Sequence, residues 1–218
     1  MIHTTLKCVT VILCSLLKKN GNSRRLKKTM YAAVFFHSIN TLQAQQPALK
    51  PLSIGDTVPD ITFQKVINSN DTTANLSDFK DKFIILDFWA VWCGACISEL
   101  PRLDSLQQKY KDNLSIILVN CMRRSHDSEK KIRDLFTKNW QQVYHKDFNC
   151  LVVADSSNTF KHLFSFKVIP HYVWIDPAGV ILAITSSAEV TEANIAMMLG
   201  GKKISLPVKQ DTPSKKTN

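Results

Sequence analysis

Residues 83–90 read FIILDFWA, an almost unbroken run of apolar, β-forming side chains. Successive side chains of a strand point to opposite faces, so a run that is apolar at every position must be covered on both. That requirement places it inside a sheet with layers on either side. One residue resists the pattern. Asp87 stands in the middle of the run, where a carboxylate is costly unless it is paired or protonated. Desolvation there is expected to raise its pKa.

The rest of the chain supplies the covering layers. Ile97, Leu100, Leu103, Leu106 and Tyr110 recur at intervals of three and four, which predicts a helix directly after the strand. Pro101 falls inside that pattern and is expected to kink it. "LSIILVN" (114–120) reads as a second buried strand, and Ile132, Leu135, Phe136 and Trp140 mark a second helix. "CLVVAD" (150–155), "HYVWID" (171–176) and "VILAIT" (180–185) are further strands. The last two are joined through "DPAG", whose Pro177 and Gly179 suit a hairpin turn. A short helix is expected over 158–166 and a last one over about 191–199, stopped by Gly200 and Gly201. Upstream, short β-type runs flank a polar turn near Asn68–Asp71, which predicts a β-hairpin. Strands alternating with helices give an α/β fold: a three-layer sandwich with a mixed central sheet over residues 54–200.

The chain holds 28 basic and 18 acidic residues, a net charge of +10. Seven of the basic residues and no acid lie in 1–44, and five lysines with Asp211 lie in 201–218. The body, 45–200, keeps 16 basic against 17 acidic residues, a net of −1. A nearly neutral body gives no electrostatic footprint for a polyphosphate, so nucleic-acid binding is set aside. The N-terminal segment has the order of a secretory signal or anchor: "RRLKK" (24–28), the apolar "MYAAVFF" (30–36), then a polar stretch with Ala44 as candidate cleavage point. The upstream run "VTVILCSLL" (9–17) is a second candidate, although a bilayer span needs roughly 20 residues. Residues 45–53, with Pro47 and Pro51, read as a linker, and 201–218 as a disordered basic tail.

Loss of the leader would remove Cys8 and Cys14, leaving Cys93, Cys96, Cys121 and Cys150 in an oxidising compartment. Cys93 comes off the carboxyl end of the buried strand where a helix begins. A helix start offers unpaired N–H groups and partial positive charge, which lower a thiol's pKa and make it a nucleophile. Cys96, one turn later, is placed to resolve a mixed disulfide on Cys93. Zinc is the competing reading of a Cys-x-x-Cys. Cys121 and Cys150 form no second close pair, and His162 and His171 are too widely spaced, so redox chemistry is favoured over a tetrahedral metal site. Cys121 and Cys150 would lie at opposite ends of neighbouring strands, beyond the roughly 7 Å that a disulfide bridges. They are expected to be free thiols. Asp87 is expected to exchange a proton with Cys96 through water; the alternative is a structural hydrogen bond to backbone or to a lysine.

These residues carry a family resemblance. "DFWAVWCGAC", Pro101 five residues after Cys96 and "VIP" downstream look like the thioredoxin superfamily. The "GDTVPDITF" opening, the "LSDFKDKFIILDFWA" run and the insertion between 121 and 155 resemble the TlpA/ResA-like thiol–disulfide oxidoreductases of the bacterial envelope. The resemblance implies Cys93 as nucleophile, Cys96 as resolving thiol and Asp87 as buried acid. It implies that Pro170 is a cis-proline and that Ile169 offers backbone hydrogen bonds to a bound polypeptide. Trp92, Gly94 and Ala95 would complete the docking surface. The Cys93–Cys96 disulfide would be the redox group, with no other cofactor and no metal. Clients would be disulfide-bearing exported proteins such as apocytochromes, met by a monomer in the periplasm that a membrane donor re-reduces. Trp89 and Trp92 are expected to pack, Trp92 shielding the cysteines, and Glu99 to be a solvated helix charge. Ala95 departs from the family's proline, and its N–H is expected to return as a donor toward the Cys93 thiolate, favouring the reduced form. Two other activities remain open: an envelope metallochaperone using the same pair, and a thioredoxin-fold peroxidase, for which "FWAVWC" lacks the upstream Thr and Pro.

Overall fold

The computed structural model describes residues 50–202 and 204–209. The leader, Ala44, Cys8, Cys14 and residues 210–218 lie outside the described residues. A short antiparallel pair, β1 (Thr62–Phe63) and β2 (Ala74–Asn75), forms the expected hairpin in minimal form. The chain then runs through β3 (Phe83–Trp89), α1 (Gly94–Tyr110) and β4 (Leu114–Cys121). A one-turn α2 (Met122–Ser125) leads to α3 (Glu129–Asp134), a π-helical stretch (Leu135–Asn139) and α4 (Trp140–Tyr144). The remaining elements are β5 (Leu151–Asp155), α5 (Thr159–Phe164), β6 (His171–Ile175), β7 (Ile181–Thr185) and α6 (Glu192–Leu199).

The central sheet has the order β5-β4-β3-β6-β7. β3, β4 and β5 are parallel, while β6 runs antiparallel to β3 and β7 antiparallel to β6. β3 is therefore the middle strand, which is why its sequence has no polar face. Ile85 and Trp89 join one core with Leu100, Leu103 and Leu106 of α1 and with Ile195 of α6. Ile84, Leu86 and Phe88 join the other, against Phe160, Leu163 and Phe164 of α5. Burying each such side chain is worth about 1.5–3 kcal/mol. The mixed three-layer sandwich is thus borne out.

The insertion helix departs from simple periodicity. Ile132, Phe136 and Trp140 are spaced by four and all are buried. Four residues overshoot an α-helical turn of 3.6, so the stripe would drift around the helix. The π turn over Leu135–Asn139 widens the helix locally and returns Phe136 and Trp140 to the core, where Phe136 meets Trp89 edge-on at 5.4 Å. Buried Asp104 of α1 ties the insertion down, accepting from the Asn149 backbone N–H at 2.7 Å and from Lys146 at 2.5 Å.

Both edges of the sheet are covered, which removes templates for edge-to-edge association. Along β5, the Ala154 N–H donates to Lys65 O at 2.9 Å and the Ile67 N–H to Val152 O at 2.8 Å. Along β7, the Gly55 N–H donates to Ile181 O at 2.8 Å and the Lys209 N–H to Ile184 O at 3.0 Å. That last bond corrects the expectation for part of the tail. Residues 204–209 lie along the domain, with Ile204 and Leu206 packed against the core, because two apolar side chains spaced by two find cover beside it.

Candidate active site

Cys93 is the N-cap of α1, with extended backbone dihedrals, and its Sγ accepts the Cys96 N–H at 3.2 Å. The two sulfurs are joined in a disulfide, with Cα atoms 5.2 Å apart. Cys93 is 7% exposed and Cys96 is fully buried. An approaching thiol or disulfide therefore meets Cys93 first. In the disulfide form the donor to Cys93 Sγ is the Cys96 amide, whereas the Ala95 donor is expected for the reduced thiolate. The N–H groups two and three positions into a helix are those an N-cap side chain reaches, and here the third is the one bonded. Ala95 and Gly94 are exposed beside the pair, and an added Cβ on Gly94 would meet open space.

Trp92 also differs from expectation. It is 66% exposed, while its indole N–H donates to Ser125 O at 2.7 Å. The ring is pinned at the rim rather than packed over the cysteines. It borders a cleft of about 390 Å³ whose walls include Cys121, Arg124, Phe166, Val168 and Ile169. The Ile169–Pro170 bond is cis, as the resemblance implied. Arg124 lies over the Phe166 ring at 5.2 Å and donates to Lys167 O. Trp89, by contrast, is buried as expected.

Asp87, in β3, is fully buried. Its neighbours on the same side of β3, Ile85 and Trp89, belong to the core that contains both cysteines. Burial pushes its carboxyl up from an ordinary 3.8 to about 8. Tyr172, directly opposite on β6, holds the value down somewhat, Glu99 raises it and Arg102 lowers it. Among the described residues neither carboxylate oxygen makes a well-formed hydrogen bond, nor does the Tyr172 hydroxyl. The alternative role for Asp87, a structural bond to backbone or lysine, is absent among the described residues. Glu99 is not simply solvated: its side chain is 25% exposed, it pairs with Arg102, and its charge reaches Asp87.

Cys121 and Cys150 are free and buried, as expected. The β4–β5 register pairs Cys121 with Asp155, which leaves Cys150 at the far end of β5. Burial pushes the Cys121 thiol up to about 12 and Cys150 well above its ordinary value. Tyr172 and Arg102 escaped the sequence reading. Position 99 carried a usable signal, because it lies three residues after Cys96 on the face that also bears Leu100 and Leu103.

Comparison with known proteins fits this geometry. A family model described as Redoxin matches residues 53–199. The chain belongs to the Redoxin family. It is 28% identical over 161 residues to the thiol-disulfide oxidoreductase ResA of Oceanobacillus iheyensis, covering 73% of this chain and 77% of that one. It is 29% identical over 127 residues to the thioredoxin-like protein YneN of Bacillus subtilis, covering 58% and 68%. Among solved structures, one assigned as the thiol:disulfide interchange protein DsbE of Chlorobium tepidum aligns with a TM-score of 0.52 and 26% identity, over 68% of this chain and 99% of that one. This Redoxin member, with a Cys-x-x-Cys disulfide at a helix start, is a thioredoxin-fold thiol–disulfide oxidoreductase.

Proposed function

We propose that the chain reduces disulfides of exported proteins in the bacterial envelope, apocytochromes among them, through a mixed disulfide on Cys93. The observation that carries this reading is the unequal burial of the pair, on the core face of β3 that also bears an acid with no well-formed hydrogen bond among the described residues: Cys93 reachable, Cys96 and Asp87 fully buried. In the reduced protein the Cys93 thiolate attacks one sulfur of the client disulfide. A Cys93–client disulfide forms, and the other client sulfur leaves as a thiolate that takes a proton. Cys96 then gives its proton to the Asp87 carboxylate, through water, and attacks Cys93. The Cys93–Cys96 disulfide forms, and the second client sulfur leaves as a thiolate that takes a proton from solvent. Two electrons have passed to the client, and a membrane dithiol donor returns two to the protein. A group titrating near neutral pH suits that proton transfer.

The docking surface in this reading is exposed Trp92, Gly94 and Ala95 on one side and the Ile169–Pro170 loop on the other. Residues 1–44 would export or anchor a periplasmic monomer. Among the described residues no helix is long and apolar enough to cross a membrane. Reduction of a disulfide-bonded peptide tests the proposal. Wild type should turn over, Cys93→Ser should not, and Cys96→Ser should accumulate the Cys93–client adduct by mass spectrometry. An adduct on Cys96 instead would overturn the assignment. The reduction potential of the pair decides direction: a strongly negative value supports a reductase, a high one an oxidase or isomerase.

A further inference from the structure

After α6 the chain returns to the active-site end of the sheet. Ile204 and Leu206 pack against the core, and the Lys209 amide is bonded to Ile184 O on the outer edge of β7. That anchor sets the Lys209 side chain beside the loop that enters β6. Its ammonium donates to Val168 O and lies 3.5 Å from His171 Nδ1. One side chain thus touches the loop on both sides of Pro170.

The contact has a consequence for Ile169. The carbonyl of Val168 and the N–H of Ile169 belong to one planar peptide unit and point to its opposite edges. Whatever fixes the carbonyl fixes the direction of the N–H. A cation on the carbonyl also polarises the unit, making the N–H a better donor. Among the described residues that N–H donates to no acceptor, so it is available to an incoming backbone.

We propose that Lys209 is a positioning residue for client docking: it holds the Val168–Ile169 peptide so that the Ile169 N–H is presented in one orientation to a bound polypeptide. The proposal rests on the reading above, in which clients lie along Ile169. Because the Lys209 backbone is already bonded to β7, little further ordering is needed when a client arrives.

The test uses the full chain as wild type, Lys209→Met and Lys209→Arg. The first readout needs no activity. The amide order parameter of Ile169 should fall from about 0.85 to below about 0.6 in Lys209→Met, while that of Ile117 in β4 stays rigid. Lys209→Arg should restore it. In turnover of a disulfide-bonded peptide, Lys209→Met should raise KM about tenfold, the scale of one charge-assisted hydrogen bond, with kcat and the reduction potential of the cysteine pair unchanged. An unmoved Ile169 order parameter overturns the proposal, and so do a kcat and a potential that shift together with KM. A wild type that reduces no peptide overturns the docking role along with the function it rests on. The order parameters tell that result apart from a failure of Lys209 to hold the loop.

Discussion

Asp87 and Tyr172 are directly opposed across the β3–β6 pairing, both fully buried, and neither satisfies the other with a well-formed hydrogen bond. Two polar groups left unpartnered in a core are expensive, each by about 1–3 kcal/mol. Each also shapes the other's titration. Burial raises the phenol well above its ordinary range and the Asp87 charge raises it further, while Tyr172 modestly lowers the Asp87 pKa. The core here gives up stability for a proton site next to a disulfide.

Asp87→Asn should flatten the pH dependence of stability. The folded carboxyl titrates near 8 against an ordinary 3.8. Between those values the folded chain holds one more proton than the unfolded chain, so stability falls by about 1.4 kcal/mol per pH unit. The loss is absent below the lower value and complete above the upper one. Denaturant unfolding of the oxidised protein should show wild type losing about 3 kcal/mol more than Asp87→Asn between pH 5 and pH 7. The variant should also lose the inflection near pH 8 in its disulfide-exchange rate. Parallel stability curves for the two proteins would remove Asp87 as the buried acid.

Tyr172→Phe removes the group that holds the Asp87 pKa down, so the end of the stability slope should move to higher pH. It deletes a buried hydroxyl that makes no well-formed hydrogen bond among the described residues, so at pH 5, where Asp87 is protonated, the variant should be at least as stable as wild type. Urea midpoints at pH 5 and pH 8 check both statements. A variant less stable at pH 5 by more than about 1 kcal/mol would mean the hydroxyl is satisfied in solution.

Much of this was legible in the chain because local pattern and burial coincide. The unbroken apolarity of 83–90 named the central strand, and one charge within it named the buried acid. The helix after Cys93 followed from the periodicity that begins at Ile97 together with the end of the strand before it. What escaped depends on pairing across the sheet. Nothing near Tyr172 in sequence says that it opposes Asp87, and Arg102 reads as any helix charge until Glu99 is seen turned inward. Trp92 misled for a related reason: its apolar bulk suggested packing, whereas the indole N–H is anchored to Ser125 and the ring faces solvent. The strap at 204–209 lies in a tail, 201–218, that is basic and proline-punctuated as a whole, which hides the two apolar residues that dock it.

Ala95→Pro should lower the reduction potential of the Cys93–Cys96 pair. The Cys96 amide already donates to Cys93 Sγ, and a proline at 95 leaves that bond intact. What is lost is one further N–H at the helix start, which in the reduced protein favours the thiolate. A single hydrogen bond of about 1 kcal/mol corresponds to a shift of roughly 20 mV. Equilibration with a glutathione or dithiothreitol couple measures it. A higher or unchanged potential would show that the Ala95 amide contributes nothing to the thiolate.

Alkylation of the reduced native protein should single out Cys93 among the described cysteines. Cys96 and Cys150 have no exposed surface, and Cys121 has 3% against 7% for Cys93. Reactivity follows the thiolate fraction as well as access. With its thiol pushed up to about 12 by burial, Cys121 at pH 8 holds less than about a thousandth of the thiolate of an ordinary thiol near 8.5. Brief iodoacetamide treatment followed by peptide mapping should therefore label Cys93 alone at early times. Cys121 and Cys150 should label only on unfolding, and no peptide should link them. The register that sets Cys121 beside Asp155 holds the two thiols about five strand residues apart, near 17 Å. Early labelling of Cys121 would instead show that the cleft beside Trp92 opens in solution far enough to admit the reagent.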